Sequence, residues 1–175
     1  MSAAFTRRVT LVAVVLALLA GAAVYALLPS GRAPMPTTIF TTLTGELINS
    51  RQLRGRVVLL DFWATDCEPC LREMPQRVAL YDEYRPLGLE LIAVAMSHDR
   101  PDRVVAYSER ARLPFKVALD VDGTIARDFG GIEAIPVSFL VDKRGMIIKR
   151  FIGASNAADA AELRSLIETA LGEPA

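Results

Sequence analysis

Cys67 and Cys70 are the only cysteines in this 175-residue chain, and they stand three positions apart in Trp63-Ala64-Thr65-Asp66-Cys67-Glu68-Pro69-Cys70. Thiols at that spacing on a first helical turn can close a small disulfide ring. The ring is too tight to staple a fold, so the pair points to redox chemistry. The apolar run Val57-Val58-Leu59-Leu60-Asp61-Phe62-Trp63 comes just before them, which puts Cys67 where a strand ends and a helix begins. Unpaired backbone N–H groups and the helix dipole favour a thiolate there, and in such motifs thiol pKa values fall to roughly 3.5–7.5. Cys67 is therefore the expected nucleophile and Cys70, one turn inward, the resolving thiol. Zinc is the other common use of a cysteine pair. With one histidine, His98, and no further cysteine, a closed four-ligand site is hard to build.

Acids flank the pair. Asp61 interrupts the apolar strand six residues before Cys67. Burial favours the neutral form of a carboxylic acid, so such a group could exchange a proton with Cys70; an aspartate reaching solvent near a strand end is the plainer alternative. Glu73, three residues after Cys70, could serve the dithiol or simply pair with Arg77 at i+4, worth about 0.2–0.5 kcal/mol. Asp66, directly before Cys67, either disfavours a neighbouring thiolate or caps the helix. His98 follows a strand end and reads as a loop residue.

These residues need elements to position them. The run Val57–Trp63 fits a strand covered on both faces, and Leu89–Met96 is a second. A helix is expected from Cys67 to Tyr84, with Leu71, Met74, Val78 and Tyr81 on one stripe and Pro75 kinking it. Pro101 opens a helix to about Leu113, followed by a strand Phe115–Leu119 and a short helix Thr124–Phe129. Val137–Val141 and Met146–Ile152 flank Asp142-Lys143-Arg144-Gly145 as a hairpin. Asn156 caps a last helix, Ala157–Leu171. Ahead of all this, Thr37–Leu53 contains the turn-like Thr44-Gly45 and reads as a short hairpin. The pattern is a mixed-sheet α/β domain.

Twenty residues from Val9 to Leu28 carry no charge and follow Arg7-Arg8. About 20 apolar residues span a bilayer as a helix, and flanking arginines keep the N-terminal end in the cytoplasm. The expected order is a cytoplasmic N-terminus (1–8), a transmembrane signal-anchor (9–28), a proline-rich linker (29–36), a domain (37–172) and a tail (173–175). A cleaved signal ending near Ala20-Gly21-Ala22 and a twin-arginine signal are the competing readings. All twenty acidic residues but eighteen of the twenty basic ones follow residue 29, leaving that part at −2. No basic run or stripe points to nucleic acid.

The segment Leu53-Arg54-Gly55-Arg56-Val57-Val58-Leu59-Leu60-Asp61-Phe62-Trp63-Ala64-Thr65, followed by Cys-Glu-Pro-Cys, resembles the TlpA/ResA branch of thioredoxin-like proteins, over about residues 37–172. The resemblance implies a thioredoxin-like fold: a central mixed β-sheet flanked by helices, with an N-terminal hairpin and an extra helix–strand insert near 101–119. It implies an extracytoplasmic, membrane-anchored disulfide reductase with catalytic Cys67, Cys70, Asp61 and Glu73. Asp61 matches the buried aspartate of plain thioredoxins, and Glu73 an acid near the active site of ResA-like members. Ile135-Pro136 matches the cis-proline dipeptide that faces the dithiol and, with Trp63, would contact substrate. Glu68 and Pro69 complete the motif, and Pro75 matches the proline within the active-site helix. Asp66 departs from the usual tryptophan, so substrate preference and redox poise do not carry over.

The implied partners are disulfide-bearing proteins, apocytochrome c among them, and a membrane thiol–disulfide electron donor. No bound cofactor is implied beyond the Cys67–Cys70 disulfide itself. An oxidase or isomerase on the same fold remains open. So do a thiol peroxidase, whose threonine would sit three residues before its cysteine where Thr65 sits two, and a copper carrier using His98.

Overall fold

The central apolar runs become strands because each is flanked by another strand on both sides. In the computed structural model, which describes residues 32–174, β3 (Val57–Trp63) and β4 (Leu89–Ala95) run parallel, and every residue of both is buried. Around them lie β1 (Ile39–Thr42), β2 (Leu47–Asn49), β5 (Lys116–Leu119), β6 (Val137–Val141) and β7 (Ile147–Ile152). The sheet order is β2-β1-β5-β4-β3-β6-β7. β5 is parallel to β4, while β1, β6 and β7 join antiparallel to β5, β3 and β6. The N-terminal hairpin is present, turning through Thr44-Gly45, and it enters the sheet by pairing β1 with β5. This is the expected thioredoxin-like mixed sheet.

Among the described residues four α-helices cover the sheet: α1 (Glu68–Tyr84), α2 (Pro101–Ala111), α3 (Thr124–Asp128) and α4 (Ala157–Gly172). Alternation along β3 sends Val57, Leu59 and Trp63 to one face, packed with Leu80 and Tyr81 of α1, Val104 of α2, and Leu163 and Ile167 of α4. Val58, Leu60 and Phe62 face the other way, against Phe40, Ile125, Phe129 and Phe139. Fully burying one such side chain contributes about 1.5–3 kcal/mol.

Most boundaries fall within a residue or two of those expected. α2 stops at Ala111 rather than Leu113 because Arg112 takes a left-handed backbone, φ 49°. A 3-10 turn at Ser50–Leu53, capped by Asn49 and Gln52, was not anticipated. α1 continues through Pro75. Asn156 caps α4 as expected, its side chain accepting from the Ala158 and Asp159 N–H groups. Before β1 the chain is pinned to the β6–β7 turn. The Met35 N–H donates to the Gly145 carbonyl at 2.9 Å, and the Ile147 N–H to the Ala33 carbonyl at 2.8 Å. The anchor expected at 9–28 lies outside the described residues. Among the described residues no helix is long and apolar enough to cross a membrane.

Candidate active site

The chain leaves β3 at Trp63, turns through Ala64-Thr65-Asp66, and starts α1 at Glu68 with Cys67 as its N-cap residue. A carboxylate fixes that turn: Asp99 Oδ1 accepts the Thr65 hydroxyl at 2.7 Å, and Asp99 Oδ2 accepts the Thr65 N–H. Cys67 and Cys70 are joined as a disulfide, with Cα atoms 5.3 Å apart. The Cys70 N–H donates to Cys67 Sγ at 3.3 Å, so the first sulfur already receives one of the helix's unpaired donors. Cys67 is half-buried, whereas Cys70 is 3% exposed. A reactant approaching from outside can touch the first sulfur and not the second.

Asp61 lies on the face of β3 that α1 covers, between Leu59 and Trp63, and is 4% exposed. Of the two readings its sequence position allows, the structure shows the buried one, and the carboxylate has partners there. Ser138 of β6, its register partner, donates a hydroxyl hydrogen bond to Asp61 Oδ1 at 2.7 Å. Arg77 Nε donates to Asp61 Oδ2 at 3.3 Å, and Arg77 Nη2 to Glu73 Oε2 at 3.0 Å. Glu73 also accepts the backbone N–H of Ser155, just ahead of α4. Sequence reasoning noticed Arg77 only as a competitor for Glu73 and missed Ser138 and Ser155. The signal for Ser138 was available: it is a lone polar residue inside an apolar strand, as Asp61 is.

Ile135–Pro136 is a cis peptide bond, as the resemblance implied. Phe62 pairs with Val137, so Pro136 falls one step further along, beside Trp63 and the start of the dithiol turn. Ile135 is partly exposed and makes no backbone hydrogen bond within the described residues. Trp63, expected to contact substrate, is fully buried and lies against the Tyr107 ring at 5.3 Å. An indole with no exposed surface supports the turn from beneath instead. Glu68 is exposed and paired with Arg72. Asp66 does not cap α1, because Cys67 holds that position; its Oδ1 lies 3.6 Å from Nε2 of His98, and both side chains are exposed. Thr65 is held by Asp99, and nothing links it to either sulfur.

A reversible disulfide at the mouth of a helix, with one sulfur outside and one inside, exchanges disulfides with other thiols. On this sheet it defines a class, the thioredoxin-fold thiol–disulfide oxidoreductases. Residues 30–167 match the Redoxin family model. The thiol-disulfide oxidoreductase ResA of Bacillus thuringiensis subsp. konkukian is 38% identical over 119 residues, 67% of this chain and 67% of that protein. ResA of Halalkalibacterium halodurans is 36% identical over 131 residues, 74% of this chain and 73% of that protein. Among solved structures, StoA from Bacillus subtilis superposes with a TM-score of 0.63 at 29% identity, covering 76% of this chain and 97% of that one. A thioredoxin-family thiol:disulfide interchange protein from Chlorobium tepidum gives a TM-score of 0.72 at 25% identity, covering 82% and 99%. The chain belongs to the Redoxin family and, within it, to the ResA-like thiol–disulfide oxidoreductases.

Proposed function

We propose that this oxidoreductase works as a membrane-tethered, extracytoplasmic reductase of disulfides in other proteins, with apocytochrome c as a specific substrate. The observation that carries the reading is the depth difference between the sulfurs, half-buried Cys67 against Cys70 at 3% exposure. In the reduced protein the Cys67 thiolate attacks a substrate disulfide, and Cys70 then displaces the substrate and closes the ring. The unpaired backbone of Ile135 supports an extended substrate segment lying beside Pro136 as an added strand. Asp61 and Glu73 handle the proton of Cys70, and Glu68-Pro69 shapes the turn between the sulfurs. Electrons return from a membrane thiol–disulfide donor, with no bound cofactor and no nucleic acid involved. The uncharged run 9–28 after Arg7-Arg8 supports a single-pass anchor in the cytoplasmic membrane with the domain facing the periplasm or cell exterior.

A redox titration tests the direction of exchange. A potential near about −270 mV is expected of a reductant, whereas one near about −120 mV would make the protein an oxidant. In cells lacking the protein, c-type cytochromes should fall, with recovery from the intact chain and none from Cys67→Ser. Unchanged cytochrome levels would remove apocytochrome c as the substrate.

A further inference from the structure

Arg77 is a buried charge, 5% exposed, that the mechanism above leaves without a task. Its guanidinium spans both acids, Asp61 at 3.3 Å and Glu73 at 3.0 Å, and also donates to Ser138 Oγ at 3.2 Å. Cys70, Glu73 and Arg77 stand at i, i+3 and i+7, on one face of α1. With both acids ionised the cluster carries one negative charge in excess, and one proton brings it to neutrality. The groups bonded to it or to its acids are Asp61 on β3, Ser138 on β6, Glu73 on α1 and Ser155 ahead of α4, while Cys70 lies buried on the same face of α1 one turn before Glu73. Arg77 and Ser155 also line a cavity of about 410 Å³ with Gln76 and Arg164, the latter paired with Glu83. That is room enough for water, and it meets the cluster at Arg77 and Ser155.

We propose that Arg77 is a positioning residue which joins Asp61 and Glu73 into one single-proton store for Cys70; this rests on the exchange chemistry proposed above. When Cys70 resolves a mixed disulfide, its S–H proton passes to the cluster. Its sulfur bonds to Cys67 Sγ, the bond between Cys67 and the substrate breaks, and the substrate sulfur leaves with the electron pair as a thiolate that water protonates. The dithiol has lost two electrons and the substrate disulfide has gained them. Asp61 and Glu73 thus act as one site, not as two independent bases.

The test compares full-length wild type with Asp61→Asn, Glu73→Gln, the double acid variant, Arg77→Met and Arg77→Lys. The readouts are the pH–rate profile for exchange with a disulfide-bearing peptide and urea unfolding of each protein. A single store predicts that the double acid variant is no slower than the worse single variant. Arg77→Met, which leaves two buried carboxylates without their cation, should lose roughly tenfold or more at about pH 7. Its ascending limb should move to higher pH, and Arg77→Lys should return most of that shift. Acid effects that multiply, or an Arg77→Met protein that loses stability while keeping the wild-type limb, overturn the proposal. If Arg77→Met does not fold, the acid variants and Arg77→Lys decide alone. Absence of exchange by wild type would instead overturn the chemistry on which the proposal rests.

Discussion

Depth along a single helical turn separates the roles of the two sulfurs, and trapping reads depth directly. Cys70→Ser should accumulate mixed disulfides through the exposed Cys67, visible as adducts on non-reducing gels. Cys67→Ser should trap almost none, because Cys70 cannot be reached; equal trapping by both variants would reverse or abolish the assignment. Asp61 has a different kind of importance. Replacing it with Asn leaves the Arg77 guanidinium with one carboxylate in place of two, and should cost about 1.5–3 kcal/mol in urea unfolding. Had Asp61 been buried alone, the same change would have stabilised the fold. The dithiol was legible in the sequence because its spacing is local. The cluster was not, because Asp61 meets Ser138 across 77 positions, and no residue type announces which strands will be neighbours.

Periodicity is what made the elements legible. Strands β3 and β4 are apolar on both faces and helix α4 repeats its apolar stripe, so their existence and order follow from burial alone. Ends were less legible where the backbone decides, as at Arg112, whose left-handed conformation stops α2 with no glycine at that position; Pro114, two residues on, signals the end only to within a residue or two. The start of α4 is a place where local and active-site structure meet. Asn156 and Asp159 form a capping box there, and the preceding Ser155 N–H is bound to Glu73. Asn156→Ala should cost about 0.5–2 kcal/mol and loosen that contact. Unfolding measurements should show the loss, and the exchange rate should fall with it. An unchanged stability would mean that Glu73 holds the end of the helix without help.

Alkaline conditions should expose the linkage between packing and charge in the whole molecule. Burial raises the Tyr81 and Tyr107 phenols above the usual 10.0, and a hydrogen bond to Glu168, then burial, raises Tyr84. A group whose folded value is raised contributes stability that is complete below its unfolded value and is lost as pH rises through the folded one. Urea midpoints should therefore hold steady up to about pH 10 and fall above it. A midpoint flat through pH 11 would mean these phenols ionise without disturbing the fold. Fractionation addresses the N-terminal segment: recovery with membranes is expected, and a soluble mature form beginning near Ala23 would identify a cleaved signal.

The pinning of Ala33 and Met35 to the β6–β7 turn gives the molecule two poles. β6 runs antiparallel to β3 and places Val141 beside Val58, so that turn caps the opposite end of the sheet from Cys67. The six steps between the seven residues of β3, at about 3.3 Å each, set the poles about 20 Å apart. The chain thus enters the described domain at the pole away from the sulfurs. Anything that loosens the hold on Ala33 and Met35 is therefore felt first at the β6–β7 turn, the length of the sheet away from the dithiol.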